Sequence, residues 1–268
     1  MRRTALSAVV LVLGATLGAC DGETAVSFAD ARALADGAAA AMEGKAAKFA
    51  TEVTAGTMRS KSQGQARVAR AGTALAMTTD FLGEPLELRL VDKIVFAKVP
   101  ESSREDVPGG KPWVKVSDNG TVGADPFSQV AGDSIDQLAK QNDPGRALDQ
   151  VRRAGTVTES GHADLDGAST EHYRLDIDMA ALGGDLPAGL SAEAVGELHG
   201  KLGKIPMEVW LDDARQPVQI VLDLAPVLAA SGVPDSAMAR IVTRYSDWGT
   251  QADIQAPPPE EIGEIPAG

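Results

Sequence analysis

Residues 205–224 read IPMEVWLDDARQPVQIVLDL and hold the two most regular strand patterns of the chain. Apolar and polar side chains alternate over 205–212 and again over 216–224, which is the period of a strand with one buried face. The residues Asp213–Gln216 are expected to form the turn between them. This stretch therefore predicts a hairpin of two antiparallel strands.

The same alternation extends to both sides of this hairpin. Leu86–Leu90 (LELRL) alternates strictly, and Ile94–Val99 is a short apolar run. These patterns predict a meander of antiparallel strands over residues 48–116, with turns at Gly56, Gly72, Gly83 and Asp92. Further strands are predicted at 155–162, 169–178 and 237–247.

Helical patterns occupy three other parts of the chain. Apolar residues recur at helical spacing over 28–43, after Ser27 as the expected N-cap. Asp125-Pro126 and Asp143-Pro144 each place an acidic N-cap before a first-turn proline, which predicts two helices within 125–153. A short helix is expected near 191–201.

The order of these elements is helix, strands, helices, strands. It lacks the sustained strand–helix–strand alternation of a parallel sheet. The sequence therefore predicts an α+β fold, in which a strongly curved antiparallel sheet forms a half-open β-barrel with helices packed on its concave side.

Composition narrows the functional classes. The chain has 268 residues, 44% of them hydrophobic and 4% aromatic, and a formal net charge of −13. The hydrophobic content excludes a chain that is disordered throughout. The acidic balance argues against nucleic acid as a partner, because a phosphate backbone needs a basic surface. The single cysteine excludes an intramolecular disulfide.

That cysteine closes the N-terminal segment MRRTALSAVVLVLGATLGAC. Arg2 and Arg3 precede an apolar run, which ends at Leu17-Gly18-Ala19-Cys20. This pattern resembles the bacterial lipobox, in which the cysteine becomes the lipid-bearing first residue of the mature protein. An ordinary secretory signal that contains a cysteine is the alternative. The position of the only cysteine at the expected cleavage site favours the lipobox.

We therefore expect a signal peptide at 1–19, a tether at 20–27, a single domain at 28–256 and a flexible tail at 257–268. Acyl chains such as palmitate on Cys20 would anchor the protein to the extracytoplasmic face of the cell membrane. Residues 21–27 reach about 24 Å at most, at about 3.4 Å per residue. The domain is thus expected close to the bilayer.

Several segments in the second half of the chain form a recognisable pattern. They are the strand ending in Glu171-His172-Tyr173-Arg174, the segment Ile205–Asp212 and the ending Tyr245-Ser246-Asp247-Trp248-Gly249. With the lipobox, they resemble the actinobacterial LppX/LprAFG lipoprotein family, whose half-barrel is similar to that of the LolA and LolB carriers. The resemblance covers about residues 150–258. It implies a half-open barrel over an apolar cavity, and binding or transport of lipids or acylated glycolipids in the cell envelope.

A cavity for an acyl chain needs a dry apolar lining, because each methylene removed from water contributes about 0.8 kcal/mol. The alternating strands supply candidates. The predicted lining consists of Met77, Leu86, Leu88, Leu90, Phe96, Met207, Val209, Leu211, Ile220 and Leu222. Alternation does not distinguish an empty cavity from a core filled by Phe28, Leu34 and Leu148. A scaffold or protein-interaction lipoprotein with a filled core is therefore the alternative function, and its protein partner is open.

A catalytic function has less support in the sequence than lipid binding. The three histidines, His162, His172 and His199, show no metal-ligand spacing, and no G-x-S-x-G or S-x-x-K motif is present. We expect His172 to be a structural hydrogen-bonding residue and Trp210 to pack under the C-terminal segment. No enzyme activity, cofactor or metal is predicted, and a hydrolase is the least favoured reading.

Overall fold

The computed structural model describes residues 26–81, 83–116, 135, 138–183, 203–230 and 239–263. Cys20, the signal peptide, the helix start at Asp125-Pro126 and the helix predicted at 191–201 lie outside the described residues. Over the described part, no helix is long and apolar enough to cross a membrane.

Four α-helices have bounds within the described residues: α1 Ala31–Met42, α2 Pro144–Ala154, α3 Met179–Leu182 and α4 Ala225–Ala230. Asp30, and not Ser27, caps α1, since its side chain accepts from the Ala33 amide at 2.8 Å. Ser27 instead hydrogen-bonds across the molecule to Glu171. The predicted cap of α2 is confirmed, because Asp143 accepts from the Gly145 amide.

Twelve strands form one sheet in the order β12-β6-β5-β4-β3-β2-β1-β11-β10-β9-β8-β7. Their bounds are β1 Ala46–Ala55, β2 Met58–Arg67, β3 Ala74–Phe81, β4 Glu84–Val91, β5 Ile94–Lys98, β6 Trp113–Val116, β7 Gly155–Leu165, β8 Ala168–Asp178, β9 Lys204–Leu211, β10 Pro217–Asp223, β11 Arg240–Thr250 and β12 Ile262–Gly263. All pairings are antiparallel except that of β12 with β6. The sheet is curved and unclosed, so the predicted α+β half-barrel is confirmed.

The hairpin predicted over residues 205–224 is present. Leu211 pairs with Pro217 and Met207 with Leu222, and the turn closes through the Arg215 amide, which donates to the Asp212 carbonyl. The pairing shifts register between Pro217 and Gln219, which makes Val218 a bulge residue. A bulge re-aims the side chains around it. Here it brings the Val218 side chain to the face of the sheet that carries a groove.

The two faces of the sheet differ in what covers them. On the face that we call the helical face, Phe49, Leu88 and Val209 belong to the same buried cluster as Leu34 of α1 and Leu148 of α2. On the other, which we call the open face, the intervening residues such as Lys48 and Ala50 are exposed. Residues that pair directly across strands share a face, so the pairing register assigns every strand residue to one face or the other.

The C-terminal segment is attached to the sheet over part of the predicted tail. Ile262 pairs with Trp113 of β6, and the Lys111 ammonium donates to the Glu260 carbonyl at 2.5 Å. Upstream, Ile254 is buried, and Arg67 and Arg89 donate to the carbonyls of Ile254 and Gln255. Residues 257–263 are therefore held against the sheet, whereas a flexible tail was expected there. Their pairing with β6 covers a strand that would otherwise be an unpaired edge.

Because the helical face is closely packed, truncating a side chain at its centre is expected to destabilise the fold strongly. Leu88 is fully buried. We expect Leu88→Ala to lower the free energy of unfolding by about 2–5 kcal/mol in urea denaturation, because it removes transfer energy and leaves a cavity. Met58→Ala is the control, since Met58 is 74% exposed. An equal effect of the two substitutions would contradict the assignment of the core.

Candidate functional site

Nine of the ten predicted cavity residues lie together on the helical face, in the buried cluster that also contains α1 and α2. The space left beside them is small. A cavity of about 40 Å³ lies between the segment 140–150 and the sheet, where Met207, Ile220 and Leu222 line it. Such a volume holds a few water molecules and no acyl chain. In the described residues, these side chains act as core packing.

Phe96 lies apart from the other nine. It pairs with Arg89 of β4 and Lys115 of β6 on the open face, and it does not belong to the buried cluster of the helical face. The continuous apolar run around it, Ile94 to Val99, carries no alternation that would have revealed its face.

A row of hydroxyl groups crosses the middle of the helical face. Thr243, Thr51, Ser62 and Thr79 are paired one after another on four neighbouring strands, and all four are buried. The Thr51 hydroxyl donates to Asn142 Oδ1 at 2.6 Å, and the Ser62 hydroxyl donates to that of Thr79 at 2.9 Å. The polar groups thus satisfy one another, and they join the turn before α2 to the sheet.

Asp143 is the buried carboxylate of this region. Its Oδ1 accepts from the Thr73 hydroxyl at 2.5 Å and from the Gly145 amide at 2.8 Å. Burial raises the pKa of Asp143 above its usual value, against the opposing effect of these hydrogen bonds. Burial, together with the charge of Asp143, also raises the pKa of Tyr245. Both groups are held by packing in the helical-face interior.

A groove of about 1040 Å³ crosses the open face. It runs across the strands, from the tip of the β7–β8 hairpin to Glu87 of β4. Its lining includes Lys48, Ala50, Gln63, Gln65, Ala76, Thr78, Leu165, Ser169, Asp212, Val218, Arg244 and Ser246.

Two local features shape the groove. The bulge at Val218 adds an apolar side chain to its lining. Gly64 lies between Phe49 and Met77, and a Cβ atom there would come within 2.2 Å of the Ala76 carbonyl. Glycine therefore allows β2 and β3 to approach closely under the groove. The small side chains of Ala50 and Ala76 leave space at the bottom of the groove.

A second groove of about 520 Å³ adjoins the first on the open face. The two share Ala50, Gln63, Thr78 and Arg244. The second continues toward the other end of the strands, where Glu52, Lys61, Asp80, Pro85 and Val242 line it. The aliphatic stems of lysine and arginine cover apolar surface while their charges face water. The combined lining is thus apolar at the floor and polar along the rim.

The first described residues of the chain are attached to β8. The Ser27 hydroxyl donates to Glu171 Oε1 at 2.6 Å, and the Phe28 amide donates to the Tyr173 hydroxyl at 3.2 Å. Burial raises the pKa of Glu171, but the hydrogen bonds from Ser27 and Tyr173 outweigh it and hold the pKa below its usual value. Glu171 pairs with Leu211 and Tyr173 with Val209, so these contacts lie on the helical face of β8. The neighbouring residue, Thr170, lines the groove on the open face.

His172 and Trp210 stack on the open face, with ring centroids 4.2 Å apart and planes at 10°. His172 Nε2 lies 2.7 Å from Glu208 Oε2. The structural role expected for His172 agrees with these contacts. The expectation for Trp210 is wrong, because its stacking partner is His172. Another tryptophan, Trp248, is the one that donates a hydrogen bond to the Pro217 carbonyl. In the described part of the chain, no group of three His, Cys, Asp or Glu residues is arranged to hold a metal ion.

Comparisons with known proteins add structural neighbours only. No model of a protein family matches the sequence, and no curated protein matches it. The structure is similar to mycobacterial lipoproteins. LprF from Mycobacterium bovis is 16% identical, with a TM-score of 0.44 over 85% of this chain and 96% of that one. LppX from Mycobacterium tuberculosis is 15% identical, with a TM-score of 0.45 over 84% of this chain and 98% of that one.

The MucB chain of the Pseudomonas aeruginosa MucA/MucB complex is 12% identical, with a TM-score of 0.39 over 89% of this chain and 61% of that one. The first two neighbours agree with the LppX/LprAFG resemblance of the sequence. At these identities the similarity concerns the fold.

Apart from Met77, the groove residues were not among the sequence candidates. They are polar or small residues at the outward positions of alternating strands, and such residues normally face solvent. The register shift at Val218 marks this face as unusual, and a register shift becomes visible only once the pairing is known.

The buried carboxylate yields a pH-dependent prediction. Because the pKa of Asp143 is raised on folding, this group stabilises the fold fully only below its unfolded pKa, and the contribution is lost as pH rises through the folded pKa. Asn is neutral at every pH and keeps both Oδ1 contacts. We expect Asp143→Asn to be more stable than the wild type at pH 7 and equally stable at pH 3, in urea denaturation.

Asp178→Asn is the matched control, because Asp178 is an exposed N-cap residue that accepts from the Ala180 amide. It should change stability little at pH 7. A less stable Asp143→Asn variant at pH 7 would show that the charged carboxylate is the favoured form.

Proposed function

We propose that this protein is a membrane-anchored lipoprotein of the cell envelope that binds a lipid or an acylated glycolipid without catalysing a reaction. The observation that carries the proposal is the groove of about 1040 Å³ on the open face. Its volume lies at the upper end of the range for small-molecule sites, about 300–1000 Å³. Among the described residues, the cavity between the segment 140–150 and the helical face has about 40 Å³, which is too small for such a ligand.

The lining supports an amphiphilic ligand. Ala50, Ala76 and Val218 offer apolar surface at the floor and side of the groove, while Gln63 and Arg244 offer donors along it. An acyl chain gains about 0.8 kcal/mol for each methylene that it buries. An elongated groove that runs across the strands suits an extended chain, with the polar part of the ligand at the rim.

The anchor supports the same proposal. Ser27 and Phe28 are fixed to Glu171 and Tyr173 on the helical face of β8, the strand whose Thr170 lines the β7–β8 end of the groove. The Phe28 ring also packs on α1 at Gly37, where a Cβ atom would come within 2.2 Å of the ring. An anchored Cys20, joined to Ser27 by a tether of about 24 Å at most, would keep this end of the groove near the bilayer. A lipid then has a short path between membrane and groove.

The ligand site is tested by filling it. Ala50 lies in both grooves, so we expect Ala50→Trp to weaken binding of 1-monoolein at least about tenfold in titration calorimetry, which corresponds to the exclusion of two methylenes. Thr54→Trp is the control, because Thr54 shares the strand and face of Ala50 but lines neither groove. Equal affinities of the two variants for monoolein would show that the groove is not the lipid-binding site.

The anchor is tested separately. We expect Cys20→Ala, expressed in the native host, to move from the membrane fraction to the soluble fraction, because two acyl chains give stable anchoring and the folded body provides none. Immunoblots of the two fractions, with the wild type alongside, measure the distribution. A variant that stays in the membrane fraction would contradict attachment through Cys20.

A protein-interaction lipoprotein with a filled core is the second candidate. The filling of the helical face favours it, since nine of the ten predicted cavity residues are packed there. In that case the open-face grooves would take a polypeptide segment. Monoolein would then fail to bind the wild type in the calorimetric experiment.

A further inference from the structure

Arg244 occupies the centre of the open face. It lies on β11, directly opposite Gln219 of β10 and Ala50 of β1, and both neighbours are uncharged. Its side chain lines both grooves. Arg244 is therefore the charged group nearest to any ligand that spans the shared part of the two grooves.

Three of the other charged groups that line the larger groove have partners. Lys48 Nζ lies 2.9 Å from Asp247 Oδ2, and Glu87 pairs with Arg89 and Lys98. Asp212 accepts from the Gln216 amide at 2.8 Å. By contrast, no described carboxylate lies within 4.0 Å of the Arg244 guanidinium. A free arginine is a notable feature in a chain of net charge −13.

We infer that Arg244 binds the anionic headgroup of an amphiphile, a phosphate or a carboxylate, whose acyl chain lies along the groove. The inference rests on the proposed function and adds the class of headgroup. The guanidinium presents two parallel N–H donors that match the oxygens of such anions. Its directly paired neighbours, Ala50 and Gln219, carry no charge that would compete for those donors.

The surroundings give the ligand a direction. Ala50 lies beside Arg244, and Ala76 and Val218 line the groove further along. An anion at Arg244 therefore has apolar surface next to it for the first methylenes. Carboxylates at the ends, Glu87 on β4 and Asp166 at the β7–β8 tip, disfavour an anion there, so the headgroup is confined to the centre.

The test compares two ligands that differ only in one phosphate group. 1-Oleoyl lysophosphatidate and 1-monoolein share the acyl chain and the glycerol, and glycerol 3-phosphate supplies the headgroup alone. Titration calorimetry below the critical micelle concentrations should show that the wild type binds lysophosphatidate about tenfold more tightly than monoolein, as expected for hydrogen bonds between charged groups. Glycerol 3-phosphate should bind far more weakly than either.

Arg244→Gln should remove the preference for lysophosphatidate and leave monoolein binding unchanged. Arg240→Gln is the matched control, because Arg240 lies on the same strand and face, loses the same charge and lines neither groove. It should keep the preference. Arg244→Lys should keep part of it, because the charge remains without the two parallel donors.

Each other outcome has a distinct meaning. Equal affinity of the wild type for the two lipids, or a preference that survives Arg244→Gln, would overturn the role of Arg244 and leave the proposed function standing. Tight binding of glycerol 3-phosphate would identify a site for free phosphate, and it would overturn the proposal that the ligand is an amphiphile. Failure of the wild type to bind either lipid would overturn the proposed function together with the inference.

Discussion

The packing of α1 and α2 against one face of the twelve-stranded sheet is the constraint on which the rest of the structure depends. It buries a continuous apolar cluster and leaves a cavity of only about 40 Å³ beside the helical segment. Because interiors are packed as densely as organic crystals, a ligand cannot enter such a face without displacing a helix. The hydroxyl row through Thr51 and its bond to Asn142 fix the helical segment further.

The groove that we propose as the ligand site lies on the other face. There the twist of the strands, the bulge at Val218 and the small residues Ala50 and Ala76 produce a groove without any element inserted for the purpose. The groove runs across the strands, from the tip of the β7–β8 hairpin to Glu87 of β4. Ser27 is attached to Glu171 on the helical face of β8, and the neighbouring residue of that strand, Thr170, lines the groove.

Much of the fold could be predicted from the sequence, because strands with one buried face alternate visibly. The hairpin of 205–224, the cap at Asp143 and the half-barrel were all accessible in this way. The cap of α1 was missed because Ser27 and Asp30 are both good N-cap residues, and only the contact of Ser27 with Glu171 decides between them. The groove was not predictable, since alternation identifies buried positions and a site made of outward residues resembles an ordinary solvated face.

A photoreactive lipid tests most directly which face binds. A fatty acid with a diazirine in its acyl chain, bound to the intact protein and irradiated, labels the residues that line its site, and peptide mass spectrometry locates them. The account predicts labels on the open-face segments around Ala50, Ala76 and Val218. Labels concentrated on Met207 and Leu222, in the interior of the helical face, would contradict it, as would the absence of specific labelling.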